Sequence, residues 1–402
     1  MNTQEYQVAL GRKIAEQRRR RGLSQPELAR MIDRSVAWVS QVERGVRKVD
    51  RMSVLETLAT ALDMPLSELA AEAPVVAAVH EEPPGAGGLR LLLSGVYSLK
   101  AMLNGHHVPS LAKLRQKVER AQDLRHAGHY TDLTDLLRDL IPDLESAARA
   151  VPDTQRPEAF GLLATAYQGC SAALAQMGET EAAWIAADRA MGAAERAGNP
   201  LLVAAGAFRL VFVFIGARYF GQAEVTAGTA ADALWHLADD GSPEAMSMWG
   251  ALTLQRAMIA AHVGDADNAY AFLDRARAMA DRVGPGRDDY STEFSPANVA
   301  LWGIAVAVEL GDAGRALRAG SSVDASGLSN ERRARMLVDL ARAHAQLRHV
   351  DDAVTTVREA EDIAPQIVRG HPVVRQLVAD LLAMQNPPGT ALSALAQRLA
   401  TS

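Results

Sequence analysis

A six-residue pattern recurs along most of this chain, and it leaves few folds open. Gly178-Glu-Thr-Glu-Ala-Ala183, Arg218-Tyr-Phe-Gly-Gln-Ala223, Gly264-Asp-Ala-Asp-Asn-Ala269, Gly311-Asp-Ala-Gly-Arg-Ala316 and Arg348-His-Val-Asp-Asp-Ala353 each end one helical stretch and open another. Their last residues lie 40, 46, 47 and 37 positions apart, and a weaker copy, Gly128-His-Tyr-Thr-Asp-Leu133, precedes them by 50. A turn residue, a short polar step and then a small Ala is what two helices need to fold back on each other closely. One such pair cannot bury its apolar face alone, so repetition implies pairs stacked into a solenoid. Ala183, Ala187 and Ala190 fall on one helical face and allow that close approach.

Composition agrees with an all-α fold. Hydrophobic residues make up 49% of the chain but aromatics only 5%, with Ala abundant, which suits close-packed helices and argues against a β-sandwich. At 402 residues, two or three domains are expected. The single cysteine, Cys170, excludes a disulfide within the chain, argues against a Cys-based zinc site and fits a reducing cytosol. Gln4, Glu5 and Gln7 interrupt any N-terminal apolar run, so no signal peptide is expected. Arg209 breaks the most apolar stretch, Leu201 to Ala217, which reads as a buried helix rather than a membrane span.

Residues 71–88 interrupt the helical periodicity with Pro83, Pro84, Gly85, Gly87 and Gly88, and read as a linker. It divides a head, residues 1–70, from a body, residues 89–402. The head holds 12 basic against 9 acidic residues, a balance of +3; the remainder holds 30 against 39, a balance of −9. A basic head on an acidic body draws phosphate to the head.

The head reads as short capped helices. Val8 to Arg21 forms the first, with Leu10 and Ile14 inward and Gly22 ending it. Ser24 caps the second and Glu27 completes a capping box. Asp33 lies at the following turn, Ser35 caps a third helix running to about Arg44, and Gly45 stops it. Ser53 and Glu56 repeat the capping box for a fourth helix through Leu62, and Pro65 to Leu69 makes a short fifth.

Leu23-Ser-Gln-x-Glu-Leu-Ala29, the Val39/Val42 spacing and Glu43-Arg44-Gly45 resemble the xenobiotic-response-element family of lambda-repressor-like helix-turn-helix domains over about residues 8–70. The resemblance implies a five-helix DNA-binding domain in which Arg18 pairs with Glu43 to tie the first helix to the third. It also implies that Ser35, Val36, Ala37, Trp38 and Gln41 face the major groove. Gln41 would pair with adenine, Val36 or Ala37 would touch a thymine methyl, and Arg34 would fork onto guanine or hold a phosphate. Gln25 would bond a phosphate at a helix N-terminus. Arg44, Arg47, Lys48 and Arg51 would hold backbone without reading sequence. Trp38 packs either on sugar and phosphate or on the head itself. Of the basic run Arg18 to Arg21, Arg19 and Arg20 read as a solvated face. One such reader makes few base contacts, so a homodimer on a pseudo-palindromic operator is expected.

The body's six-residue segments resemble the mid-repeat turn of tetratricopeptide repeats over roughly residues 110–365, although the usual period of 34 and the Trp-Leu-Gly-Tyr pattern are absent. The resemblance implies a concave groove lined by the first helix of each pair, roughly 157–175, 200–216, 244–262, 295–309 and 331–347. Effector-site candidates within them are Tyr167, Arg209, Phe212, Trp249, Gln255, Arg256, Asn298 and Trp302. Burial between helices is the competing reading for each aromatic, whereas Arg209, a charge in an apolar helix, must be paired or face the groove. Asn298 resembles the Asn with which peptide-sensing regulators hold a peptide backbone.

No catalytic motif, phosphate loop or cofactor signature occurs. His106 and His107 diverge on a helix, so no metal site is expected, and the Asp pairs at 239–240, 288–289 and 351–352 read as solvated or capping. The whole resembles Gram-positive peptide-receptor regulators and many actinobacterial regulators. That likeness implies a cytoplasmic, nucleoid-associated transcription factor, with no membrane partner, whose DNA affinity a small molecule or peptide sets. The alternative is a DNA-binding adaptor whose repeats dock a protein; an enzyme with a DNA-binding head is the third class.

Overall fold

The computed structural model describes residues 3–32, 34–47, 49, 52–64, 69, 86–93, 110–385 and 387–400. Among these the protein is all-helical, with twenty α-helices, two short 3-10 turns and no strand. It divides into two compact units, Met1–Glu82 and Pro83–Ser402.

In the first unit, α1 (Thr3–Arg20), α2 (Gln25–Met31), α3 (Val36–Glu43) and α4 (Met52–Ala61) surround a core of Leu10, Ile14, Leu28, Val39, Val42, Leu58 and Leu62. α1 starts earlier than the apolar pattern suggests, because buried Gln7 accepts a hydrogen bond from the Val49 amide at 3.0 Å and ties this extension to the unit. Ser24 caps α2 with the full capping box, and Ser35 caps α3 through the Trp38 amide. α4 begins one residue before Ser53. The Ser53 and Glu56 side chains, Asp33, Arg51 and Pro65–Glu68 lie outside the described residues, as do His106 and His107.

The second unit opens with α5 (Ala86–Leu92), which takes in Gly87 and Gly88, two residues that read as linker. Burial of Ala86, Leu89 and Leu92 in the body's core drives this helix despite its glycines. Six helix pairs follow: α6 (Leu111–Ala127) with α7 (Tyr130–Ala150), α8 (Arg156–Gln176) with α9 (Thr180–Ala197), α10 (Pro200–Gly216) with α11 (Phe220–Asp239), α12 (Pro243–His262) with α13 (Ala266–Val283), α14 (Pro296–Glu309) with α15 (Ala313–Gly320), and α16 (Asn330–Gln346) with α17 (Val350–Ile363). Helices α18 (Pro365–Gly370), α19 (Pro372–Met384) and α20 (Thr390–Ala400) finish the chain.

The recurring segments are the turns inside these pairs. Their first residues, Gly128, Gly178, Arg218, Gly264, Gly311 and Arg348, all have φ between 63° and 81°. In each turn the next residue's amide donates to the carbonyl five positions back, at 2.8–2.9 Å, closing the helix as a Schellman motif. The last residue of each, Leu133, Ala183, Ala223, Ala269, Ala316 or Ala353, has no exposed surface. α9 shows the packing in pure form: its buried residues are Ala182, Ala183, Ala186, Ala187, Ala190, Ala193 and Ala194.

The first helix of each pair packs on the first helix of the next, and the sixth, α16, returns against the first, α6. Six inner helices therefore form a closed ring, with the second helices outside.

Candidate functional site

In the first unit, α1 and α3 cross at Gly11, where a Cβ would collide with the Val42 carbonyl and stand 2.8 Å from the Glu43 carbonyl oxygen. At that crossing the Arg18 guanidinium donates two hydrogen bonds to Glu43, at 2.5 and 3.0 Å, and a third to the Leu23 carbonyl at 2.7 Å. Both side chains are at most 10% exposed. Burial alone would raise the Glu43 carboxyl, but hydrogen bonds from Arg18 and Gln25 and the Arg18 charge hold it below its ordinary range. The carboxylate thus faces inward and leaves the outer surface of α3 free of negative charge.

That surface carries the residues expected to read DNA. Arg34, Ser35, Val36, Ala37, Arg44 and Arg47 are exposed, and Trp38 and Gln41 are half-buried. Trp38 packs on the unit's own core, with the Arg34 guanidinium 5.9 Å from its ring. Gln25 sits beside them at the start of α2, and its amide donates to Glu43 at 2.8 Å. Arg20 bonds Glu16, Arg21 bonds the Ala61 carbonyl at the end of α4, and Arg44 bonds the Ser40 carbonyl. Lys48 lies outside the described residues. A short capped helix thus presents small and apolar side chains plus one amide, flanked by arginines.

The sequence of residues 9–71 matches the family described as "Helix-turn-helix domain". Residues 9–71 are a helix-turn-helix domain. No curated protein matches the chain significantly. Among solved structures, PlcR of Bacillus thuringiensis in complex with the peptide PapR7 and DNA is 16% identical, covers 69% of this chain and 99% of its own, and has a TM-score of 0.28. The apo form of the competence regulator ComR from Streptococcus vestibularis is 13% identical, covers 72% of this chain and 95% of its own, and has a TM-score of 0.20.

In the second unit the centre of the ring is occupied by the chain itself. The segment between α13 and α14 carries Ser291, Thr292, Glu293, Phe294 and Ser295, all buried, through the middle. Five of the six inner helices hold it. From α6, Gln122 donates to Ser291 Oγ at 3.2 Å and Arg125 to the Ser291 carbonyl at 3.4 Å, while His126 stands 3.3 Å from Asp288. Arg209 of α10 donates to the same Ser291 carbonyl at 3.2 Å. Ser247 of α12 donates to Asp289 at 2.7 Å. Asn298 of α14 and Arg332 of α16 donate to the Thr292 carbonyl, at 3.0 and 3.3 Å. Phe294 lies against α12 at Gly250, where any Cβ would run into its ring.

Tyr290, Ser291 and Glu293 all have left-handed backbones, with φ of 52°, 57° and 51°. Each costs about 1–2 kcal/mol in a residue with a side chain. Around them, Arg125 pairs with Glu331 at 2.8 Å and Arg335 with Glu331 at 3.1 Å. Burial would raise the Glu331 carboxyl, but Arg335, Arg125, Arg332 and Arg209 outweigh it and hold it at about 2. Burial, with Arg125 adding to it, pushes the Arg209 guanidinium down to about 9, which leaves it charged at neutral pH. A cavity of about 20 Å³ beside Arg125, Arg209, Gln168 and Ser291 is the size of a single water.

Of the expected groove residues, the ring brings Arg209 and Asn298 together on this segment. The others are built into helix contacts. Tyr167 donates to Glu145, Trp249 meets Trp235 at a tilt, Gln255 donates to the Phe208 carbonyl, Arg256 bonds Glu224, and Phe212 packs between Phe208 and Trp302. Asp288 is exposed, in keeping with the solvated or capping reading, and it also accepts from the Glu293 amide and faces His126. Sequence reasoning did not single out Arg125, His126, Glu331 or Arg332; the only local hint is that they are charged residues within amphipathic helices. On the outside, Trp184, Phe214, Arg218, Tyr219 and Phe220 line a shallow aromatic depression of about 630 Å³.

Proposed function

We propose that the protein is a sequence-specific, DNA-binding transcriptional regulator rather than an enzyme, acting as a homodimer whose DNA affinity is set by an effector bound in the body. The observation that carries this reading is the outward face of α3, on which Ser35, Val36, Ala37 and Gln41 stand among Arg34, Arg44 and Arg47 while Glu43 is turned inward. Arginines supply backbone attraction, and Gln41 and the apolar pair supply base readout. Two such domains, spaced one helical turn apart, give useful affinity.

For the body, the central segment supports control by displacement. Arg125, Arg209, Arg332 and Asn298 grip backbone carbonyls of a strained stretch, as they would grip any acceptor-rich ligand. A small molecule or peptide rich in carbonyl or carboxylate oxygens takes over those donors and releases the segment, and the ring relaxes to a second packing. The exposed aromatic depression around Trp184 and Tyr219 favours a second reading, an adaptor that docks a protein partner there.

Titration of labelled promoter fragments with the purified chain tests both. Binding that weakens with salt, and is released by a low-mass, heat-stable extract fraction, supports the effector reading. Release only by a protein fraction supports the adaptor. Failure to bind any fragment at low salt refutes both.

A further inference from the structure

The last repeat turn differs from the other five at one inward position. Four residues before the left-handed residue, the others carry Leu124, Leu174, Phe214, Ala260 and Ala307, all buried in the core. The equivalent residue of the sixth turn is His344, and its carbonyl makes the same closing bond, here from the His349 amide. A histidine therefore stands where the fold otherwise places an aliphatic or aromatic side chain.

Its surroundings are those of a ligand. His344 Nδ1 is shielded from solvent and has no hydrogen-bond partner. It stands 3.9 Å from Asp352 Oδ2 in the first turn of α17, too far for a hydrogen bond. One donor atom from each of His344, His349 and Asp352 lies within 4.8 Å of the others. Two ligands about 2.0–2.2 Å from one tetrahedral zinc ion are about 3.4 Å apart, so small rotations of the exposed His349 and Asp352 side chains complete the geometry.

We propose that His344, His349 and Asp352 form a zinc(II) site that staples the end of α16 to the start of α17, with water in the fourth position. Two imidazoles and one carboxylate suit zinc rather than magnesium or calcium, which take oxygen ligands. The ion supplies the buried imidazole nitrogen with the partner it lacks and fixes a turn that pivots on Arg348, a residue with a side chain at φ 63°. The expectation of no metal site rested on His106 and His107, and sequence spacing alone did not single out this trio.

The test is calorimetric titration of the full chain, stripped of metal by chelator, with zinc chloride and, separately, magnesium chloride. One zinc per chain and no magnesium are expected. His349→Ala and Asp352→Asn change exposed side chains and should keep the fold. Each should weaken zinc binding at least about 10-fold, since loss even of an outer partner of a metal ligand costs about 10- to 100-fold. His129→Ala, in the first turn, where Leu124 replaces the inner histidine, should leave binding unchanged. The proposal fails if the wild-type chain binds no zinc, if magnesium competes equally, or if His349→Ala binds as tightly as wild type.

Discussion

Two charged side chains and two glycines set the packing at the α1–α3 crossing and at the centre of the ring. Arg18 and Glu43 pair across the α1–α3 crossing, and both side chains are nearly buried. Arg18→Ala leaves the Glu43 carboxylate with the Gln25 amide but no opposite charge, a change worth about 3–5 kcal/mol, and should lower the unfolding midpoint of the helix-turn-helix domain in thermal or denaturant melts. Gly11 and Gly250 act through space rather than charge. The first lets α3 lie on α1; the second makes room for Phe294 in the ring. Gly250→Ala should expel Phe294 and loosen the central segment, read as faster amide exchange at residues 288–295 with the helix-turn-helix domain unchanged. The Arg18–Glu43 pair was legible because it belongs to a motif with fixed spacing. The two glycines were not, because the atoms they accommodate lie 31 and 44 positions away in the chain.

Among the elements, the repeat turns were the part most open to reading. A left-handed residue, a polar step and a buried Ala leave a local signature, and the first helices of the second to sixth pairs begin and end within a residue of the expected bounds. Arg218 and Arg348 occupy positions that Gly fills in the other four turns. Arg218→Gly removes left-handed strain of about 1–2 kcal/mol but adds unfolded-chain freedom of about 0.4–1 kcal/mol, so the body should gain roughly 0.5–1 kcal/mol. A loss of stability in a denaturant titration would contradict this account of the turns. The central segment escaped prediction because Gly284-Pro285-Gly286 marks a loop without saying where the loop goes. A loop's destination depends on partners such as Arg125, 166 residues before Ser291, and Arg332, 40 residues after Thr292.

At the scale of the whole molecule, ring closure combines apolar packing with ionic contacts between the ends of the repeat array. Arg125 of the first pair holds Glu331 of the last across 206 residues, and no local pattern encodes that contact. The folded Glu331 carboxyl, at about 2, lies below its unfolded value of about 4.3, as does Glu309, held at about 2 by His262 and Arg342 against burial. The unfolded chain therefore binds more protons between these values. The stabilisation is fully present above about pH 4.5 and is lost as pH falls toward 2. Circular dichroism melts across that range should report falling stability, and Glu331→Gln should flatten the slope while lowering stability at neutral pH. The effector reading makes the same ring the control element for the helix-turn-helix domain.

The central claim, that this domain reads duplex DNA through the exposed face of α3, is tested most directly by selecting bound duplexes from a random-sequence pool with the full chain. The account predicts enrichment of two related half-sites about one helical turn apart, lost when Gln41→Ala and Arg34→Ala are combined. Enrichment of no sequence, or of the same sequence by the double variant, would contradict it.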